Sequence, residues 1–225
     1  MNTSNNINRT NLLPKDALDL LVQGNQRFIK NEQQDKNLSE MRDALKNNQQ
    51  PFAAILGCSD SRVAPELIFD QTLGDIFSVR LAGNVACRKA IGSLEYSCKY
   101  LGSKIIVVMG HSNCGAVKAA CDNFEEGNIT EIIKLLQPAV SEETTTLDPE
   151  RNSKNSQFVA NVCFLNVKKQ IQNIINQSDI LRDLLDKKQI CIIGAVYNFA
   201  SGQVEFDHQG STFSVSYTHL TLPTN

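Results

Sequence analysis

The pattern of apolar and polar positions along the chain predicts an α/β fold. Nearly continuous apolar runs are typical of strands that are covered on both faces of a sheet, and such runs lie at 52–57, 104–109 and 190–196. Shorter runs at 76–80 and 203–206 predict two further strands. Longer segments between them repeat apolar residues every three or four positions, which predicts helices. We therefore expect a mostly parallel central sheet of about four strands, with an antiparallel edge strand and helices on its faces.

The helical periodicity predicts where most helices begin and end. An N-terminal helical arm begins at Pro14, a residue type suited to the first helical position, and either packs on another subunit or crosses the sheet. Gly102 predicts the end of a helix over 91–100, and Pro138 predicts the end of a helix over 129–140. The other predicted helices are a short one from residue 65, one from residue 115, and three over 38–45, 157–175 and 181–185. The polar segment 141–152 is predicted to be a loop. The segment 212–215 is predicted to pair with the edge strand.

The length of 225 residues is typical of a single domain. We assign that domain to residues 14–215. The Asn-rich segment 1–13 has no apolar stretch of the kind found in secretory signals and is predicted to be a disordered leader. Residues 216–225 continue no pattern and are predicted to be a non-native or disordered tail, although an extended tail along a neighbouring subunit is the alternative. His219 is therefore left out of the candidate sites.

Charge and cysteine content narrow the class of protein. A net charge of −2 gives no basic surface of the kind that binds nucleic acid, so no nucleic-acid partner is expected. No apolar run approaches the length of a membrane span, so no membrane partner is expected either. Seven cysteines are an odd number in a chain that is large enough to fold without disulfides. We therefore predict free thiols, a reducing compartment and a cytoplasmic protein.

Two short polar segments follow two of the predicted buried strands. Cys58-Ser-Asp-Ser-Arg62 follows the first, and His111-Ser-Asn-Cys114 follows another. The carboxyl ends of parallel strands meet at one edge of a sheet, so Cys58, His111 and Cys114 are expected to lie together. Two thiolates and one imidazole are a ligand set of catalytic zinc, with a fourth position for water or substrate. A helix that begins at Gly115 is expected to lower the pKa of the Cys114 thiol.

These segments and two others resemble the β-class carbonic anhydrases. The matching motifs are Cys58-Ser-Asp-Ser-Arg62, Arg80-Leu-Ala-Gly-Asn84, Gly92-Ser-Leu-Glu-Tyr96 and Gly110-His-Ser-Asn-Cys-Gly115, and the resemblance extends from Pro14 to Phe213. It implies an α/β fold with a mostly parallel sheet, a homodimer or homotetramer, and a Zn²⁺ cofactor. It also implies a lyase, a carbonate dehydratase that hydrates carbon dioxide reversibly to bicarbonate and a proton.

The resemblance also implies roles for individual residues. Asp60 and Arg62 match the catalytic dyad, and Asp60 is a possible fourth zinc ligand in a closed state. The positions matched to substrate binding are Gln49, Phe77, Ala82, Tyr96 and Gly115, with Tyr96 reaching across a dimer interface. A subset of the family binds regulatory bicarbonate through a tryptophan. This chain has none and carries Ile55 near that place, so this regulation is not expected.

The expected mechanism is attack of zinc-bound hydroxide on carbon dioxide, with Asp60 accepting a hydrogen bond from the hydroxide and serving as the nearest proton relay. His208 lies in a polar turn and is predicted to be a surface residue. Several alternatives stay open at this point. The same scaffold could hydrolyse carbon disulfide or carbonyl sulfide. The ligands could instead form a closed structural zinc site in a non-catalytic zinc or thiol-sensing protein, with Asp60 and Arg62 as a structural ion pair.

Overall fold

The computed structural model describes residues 11–208 of the chain. Most of the predicted leader, the segment 212–215 and the predicted tail 216–225 lie outside the described residues. Leu12 already packs against the core, so core contacts begin before Pro14. The domain boundaries of the sequence analysis remain predictions.

A five-stranded sheet forms the centre of the described region. Its strands, in chain order, are β1 (Ala53–Gly57), β2 (Ile76–Arg80), β3 (Ile105–His111), β4 (Cys191–Tyr197) and β5 (Val204–Asp207). The spatial order is β2-β1-β3-β4-β5. The first four strands are parallel, and β5 pairs antiparallel with β4. The predicted α/β class, with four parallel strands and an antiparallel edge strand, is confirmed.

Helices cover both faces of this sheet. Within residues 11–208 they are α1 (Pro14–Lys30), α2 (Leu38–Leu45), α3 (Pro65–Ile68), α4 (Arg88–Tyr96), α5 (Gly115–Cys121), α6 (Ile129–Glu142), α7 (Ser156–Gln177) and α8 (Asp179–Asp186). A π-helical turn, Ser97–Leu101, extends α4 to Gly102, which has a left-handed φ of 86° as expected for a helix end. None of the helices between residues 11 and 208 is both long and apolar enough to span a bilayer.

The helix predicted over 129–140 is present as α6, but Pro138 does not end it, because the helix continues through the proline to Glu142. Proline lacks the N–H that would bond one turn back, which normally kinks or ends a helix. Here the next residue, Ala139, is 1% exposed and packs into the core beside α7. Tertiary packing of this buried face overrides the local preference of proline.

The N-terminal arm α1 packs across the sheet of its own chain. Ala17, Leu18 and Leu21 are buried in the same core cluster as residues of β1, β3 and β4. Asn25 fixes the position of α1 by donating hydrogen bonds to the carbonyl oxygens of Ile68, at 3.1 Å, and of Gly202, at 2.9 Å. The arm is therefore part of the domain core. This agrees with the second of its two predicted placements, a helix that crosses the sheet.

The strand register brings the polar segments together. Gly57, the last residue of β1, is paired with Arg80 of β2 on one side and with Met109 of β3 on the other. Cys58 therefore leaves the sheet beside Gly110 and next to His111, the final residue of β3. Three neighbouring strands thus present their carboxyl ends at one edge.

We expect the close approach of α1 to the loop after α3 to make Gly24 essential for stability. A Cβ at Gly24 would overlap the carbonyl oxygen of Phe69. Gly24→Ala should therefore lower the free energy of unfolding by about 2 kcal/mol or more, as overpacked sites do, although alanine is the better helix former. Urea denaturation measures the change. Gln23→Ala, on the exposed side of α1, is the control and should stay within about 0.5 kcal/mol of the parent; equal stability of the two variants would contradict the packing argument.

Candidate metal centre

Cys58, His111 and Cys114 come together at the carboxyl edge of the sheet. One donor atom from each lies within 4.8 Å of the others, and the two sulfur atoms are 3.9 Å apart. The three residues are 5%, 0% and 1% exposed. Cys58 follows β1, His111 ends β3, and Cys114 is the residue that precedes α5. The structure thus assembles the three residues that the sequence analysis selected.

The donor set fits a zinc ion. Nδ1 of His111 is 3.0 Å from the carbonyl oxygen of Ser112, which assigns its proton to Nδ1 and leaves a lone pair on Nε2. Nε2 is buried and has no hydrogen-bond partner within residues 11–208. Tetrahedral zinc with Zn–S bonds of about 2.3 Å would separate two thiolates by about 3.8 Å. The observed sulfur separation of 3.9 Å matches this spacing.

The two thiols of this cluster have opposite pKa shifts. The hydrogen bond with Cys114 is the largest cause that lowers the pKa of Cys58, and His111 and the backbone N–H of Gly83 add to it. The same hydrogen bond, together with burial, raises the pKa of Cys114. The predicted lowering of the pKa of Cys114 is therefore wrong. A backbone hydrogen bond at the start of α5 does lower this pKa, but the shared proton and the burial outweigh it.

Asp60 and Arg62 form a two-point ion pair beside the cluster. Nε and Nη2 of Arg62 donate to the two carboxylate oxygens of Asp60 at 3.0 and 2.8 Å, and the backbone N–H of Arg62 donates to Oδ1 at 3.0 Å. The hydrogen bonds from Arg62 hold the pKa of Asp60 far below its usual range. The carboxylate therefore stays ionised at neutral pH and is engaged with Arg62. The sequence analysis predicts that Asp60 can be a fourth zinc ligand in a closed state, and this role stays a prediction.

Arg80 anchors the backbone of this segment, a contact that the sequence analysis missed. Nε of Arg80 donates to the carbonyl oxygen of Cys58 at 3.0 Å, and Nη2 donates to that of Asp60 at 2.6 Å. Its place in the Arg80-Leu-Ala-Gly-Asn84 motif was the signal that could have pointed to it.

Phe199 connects the two halves of the candidate site and was also missed. The guanidinium carbon of Arg62 lies 4.1 Å from the centre of the Phe199 ring, in cation–π geometry. The same ring packs edge-on against the His111 ring, with 5.1 Å between their centres. The backbone N–H of Phe199 donates to Oγ of Ser112 at 3.0 Å. No local sequence pattern marks Phe199, because it follows β4 at a distance in sequence from both motifs.

The predicted substrate residues do not all lie at this edge of the sheet. Ala82 and Gly115 are next to it, in the loop after β2 and at the first turn of α5. Phe77 pairs with Ala54, three register positions before Gly57 and thus about 10 Å away along the strand. The Phe77 and Tyr96 rings are 6.4 Å apart, and Tyr96 is 49% exposed. Gln49 is exposed on the segment before β1. The roles of these five residues stay predictions.

Comparison with known proteins agrees with this geometry. The carbonic anhydrase family model matches residues 53–204. "Carbonic anhydrase 2" of Mycobacterium tuberculosis is 41% identical over 136 residues, which span 58% of this chain and 66% of that relative, just under two thirds of its length. A carbonic anhydrase of Mycolicibacterium smegmatis is 34% identical over 199 residues, which span 85% of this chain and 92% of the relative.

Solved structures agree in fold. The β-carbonic anhydrase of Coccomyxa, in a complex with acetazolamide, superposes with a TM-score of 0.65 at 27% identity and covers 74% of this chain and 76% of its own. CafA of Aspergillus fumigatus superposes with a TM-score of 0.68 at 25% identity and covers 76% and 81%. The resemblance drawn from the sequence is confirmed. Because the family model matches more than half of the residues and a relative aligns over most of both chains, this protein belongs to the β-carbonic anhydrases, a family of lyases.

Proposed function

We propose that the protein catalyses the zinc-dependent, reversible hydration of carbon dioxide to bicarbonate and a proton. The observation that carries the proposal is the buried group of Cys58, His111 and Cys114, whose donor atoms lie within 4.8 Å of one another. Beside this group, Asp60 and Arg62 form the ion pair that the family resemblance predicts. The names of the relatives support the same activity.

In this proposal the Cys58 and Cys114 sulfurs and Nε2 of His111 hold the zinc ion. When bound, zinc supplies a Lewis acid that makes water nucleophilic at neutral pH. The chain contributes the orientation of its ligands. The hydrogen bond from Nδ1 of His111 to the Ser112 carbonyl fixes the tautomer in which Nε2 carries a lone pair for the metal. The contacts of Arg80 with two carbonyl oxygens fix the backbone on which Cys58 and Asp60 stand.

Asp60 orients the attacking water in this mechanism. Oδ1 receives two hydrogen bonds from Arg62, from its backbone N–H and from Nε, whereas Oδ2 receives one from Nη2 and retains a lone pair that can accept a hydrogen bond from water. This contact directs the oxygen lone pair of the water towards the carbon of carbon dioxide. Since the pKa of Asp60 is far below its usual range, the carboxylate accepts a hydrogen bond well but retains a proton poorly. The proton released by the reaction therefore passes on to solvent buffer.

We propose substrate contacts for Gln49, Phe77, Ala82, Tyr96 and Gly115, and the exposed ring of Tyr96 fits an assembled enzyme better than an isolated chain. Tyr96 and Tyr100 are 49% and 68% exposed, and their ring centres are 5.8 Å apart. Large exposed aromatic surfaces usually mark contacts with another protein. We propose a homodimer or homotetramer in which Tyr96 meets a second subunit. Sedimentation equilibrium should give a multiple of the 24.9 kDa chain mass, and a strictly monomeric protein would contradict this arrangement.

A cytoplasmic location is part of the proposal. All seven cysteines of the chain are free. Unpaired thiols in this number suit a reducing compartment.

The function is tested by stopped-flow measurement of carbon dioxide hydration with the zinc-loaded protein at neutral and mildly alkaline pH. A rate no higher than that of buffer would reject it. Carbonyl sulfide and carbon disulfide, offered in competition, separate the related hydrolase reaction. X-ray absorption at the zinc edge separates a closed structural site, which would show four protein ligands at every pH.

Asp60→Asn should lower the turnover number about 100-fold, which is the size of effect expected when a reacting group is no longer held in its productive orientation. The amide keeps the shape of the side chain but loses its charge and replaces one acceptor by a donor. Zinc content should stay at the parental level, because the three proposed ligands are intact. The matched control is Asp183→Asn, which makes the same chemical change on α8, in an exposed ion pair with Lys187, the residue after this helix. Parental turnover in Asp60→Asn would remove Asp60 from the mechanism.

Cys58→Ala should abolish stable zinc binding, since it leaves two of the three proposed ligands. Metal analysis after gel filtration measures the zinc content per chain. Cys98→Ala, which truncates a buried thiol outside the ligand group, is the control and should retain the parental zinc content. Full zinc occupancy in Cys58→Ala would show that Cys58 is not a ligand.

A further inference from the structure

Two buried amide side chains of α7 lie against the loop that follows β2. Asn166 and Gln170 are both 0% exposed, and we refer to this pair as the amide clamp. Nδ2 of Asn166 donates to the carbonyl oxygen of Gly83 at 3.0 Å. Nε2 of Gln170 donates to Oδ1 of Asn166 at 2.8 Å, and its Oε1 accepts from the backbone N–H of Ala86 at 2.8 Å. Gly83 lies 83 residues before Asn166, and Ala86 lies 84 residues before Gln170. The clamp thus holds the loop at two backbone positions that are distant in sequence.

The other side of the same loop meets the candidate metal centre. The backbone N–H of Gly83 lies 3.4 Å from Sγ of Cys58 and donates a hydrogen bond to it. Gly83 has a left-handed φ of 67°, which favours glycine. A Cβ at this position would lie 3.0 Å from Cδ1 of Leu136 and 3.3 Å from Cβ of Ala116. The loop is therefore held from both sides, with the Gly83 N–H directed at a proposed zinc ligand.

We propose that Asn166 and Gln170 are positioning residues of the metal centre, which hold the N–H of Gly83 in hydrogen-bonding contact with the Cys58 sulfur. The inference rests on the proposed zinc site. A hydrogen bond to a thiolate withdraws negative charge from the sulfur and fixes the direction in which its lone pairs point. Partners of this kind set the orientation and the donor strength of metal ligands.

Packing alone does not account for the amide clamp. A buried amide is costly unless its donors and acceptors are satisfied, whereas leucine or methionine of similar size would fill the same space between α7 and the loop. Apolar residues would leave the Gly83 carbonyl and the Ala86 N–H without these partners. Gln170 has two longer contacts outside the loop, with the Leu135 carbonyl oxygen at 3.4 Å and with Nδ2 of Asn173 at 3.3 Å. The shorter contacts of the two amides are with the loop that contacts Cys58 and with each other.

The test uses the full-length, zinc-loaded protein and the variants Asn166→Leu and Gln170→Met, which keep side-chain volume and remove the hydrogen bonds. Zinc affinity is measured by competition with a chromophoric chelator. We expect a loss of about 10- to 100-fold in Asn166→Leu, as is usual for partners of metal ligands, and a smaller loss in Gln170→Met, which acts on Gly83 through Asn166. In cobalt-substituted protein the sulfur-to-cobalt charge-transfer band should shift in the same order.

The control is Ile174→Val, which truncates a fully buried residue of the same helix that packs against the sheet. It should lower the stability of the fold and leave zinc affinity and the cobalt spectrum at their parental values. A loss of affinity in Ile174→Val equal to that in Asn166→Leu would overturn the proposal, because the effect would then be one of general stability. If Asn166→Leu fails to fold, Gln170→Met carries the same comparison.

Two outcomes separate this proposal from the proposed function. If the parent binds zinc and both amide variants retain its affinity and cobalt spectrum, the amide clamp is overturned and the zinc site stands. If the parent itself binds no zinc, the zinc site is overturned, and the clamp with it.

Discussion

The parallel register of β1 and β3 is the constraint on which the rest of the site depends. Gly57 of β1 is paired with Met109 of β3. Cys58, the residue after β1, therefore lies beside Gly110 and next to His111, where β3 ends. A slip of one position would turn His111 towards the opposite face of the sheet. The close packing of α7 holds this register, since a Cβ at Gly110 would lie only 2.9 Å from Sγ of Cys163 and 3.0 Å from Cγ2 of Val167.

This convergence places three potential ligand atoms close together in a buried centre. Two buried sulfurs 3.9 Å apart share one proton, which is why the pKa of Cys58 is lowered and that of Cys114 is raised. The Nε2 atom of His111 is buried beside them without a hydrogen-bond partner within residues 11–208. An unsatisfied polar atom of this kind costs about 1–3 kcal/mol. A divalent cation would take the place of the shared proton between the two sulfurs and would bind the nitrogen, so the chemistry of the donor set and the energetics of the fold favour the same occupant.

Much of this arrangement could be predicted from the sequence, because its signals are local. The apolar runs mark the strands, and each polar segment follows directly after a strand, as Cys58 does after β1 and His111 does at the end of β3. Other contacts carry no such signal. Glu143 lies in a polar segment predicted as a loop, yet it is 2% exposed and paired with Arg151 at 3.0 Å. Asn166 lies in a helical pattern that shows only that α7 is amphipathic. Arg151 follows Glu143 through an irregular segment, and Gly83 is 83 residues from Asn166 along the chain. Periodicity does not report in either case which polar groups a side chain will meet.

The two parts of the site differ in how they are held in place. Cys58 meets His111 and Cys114 only because the tertiary fold brings two distant segments together, whereas Asp60 and Arg62 are two residues apart and pair locally. Arg80 fixes the backbone of that local pair from the neighbouring strand, and Phe199 supports Arg62 through its ring. The orientation of the pair is therefore set by contacts of the chain itself. A carboxylate that is already ionised and oriented needs little rearrangement when charge develops nearby, and such preorganisation is the usual source of electrostatic catalysis.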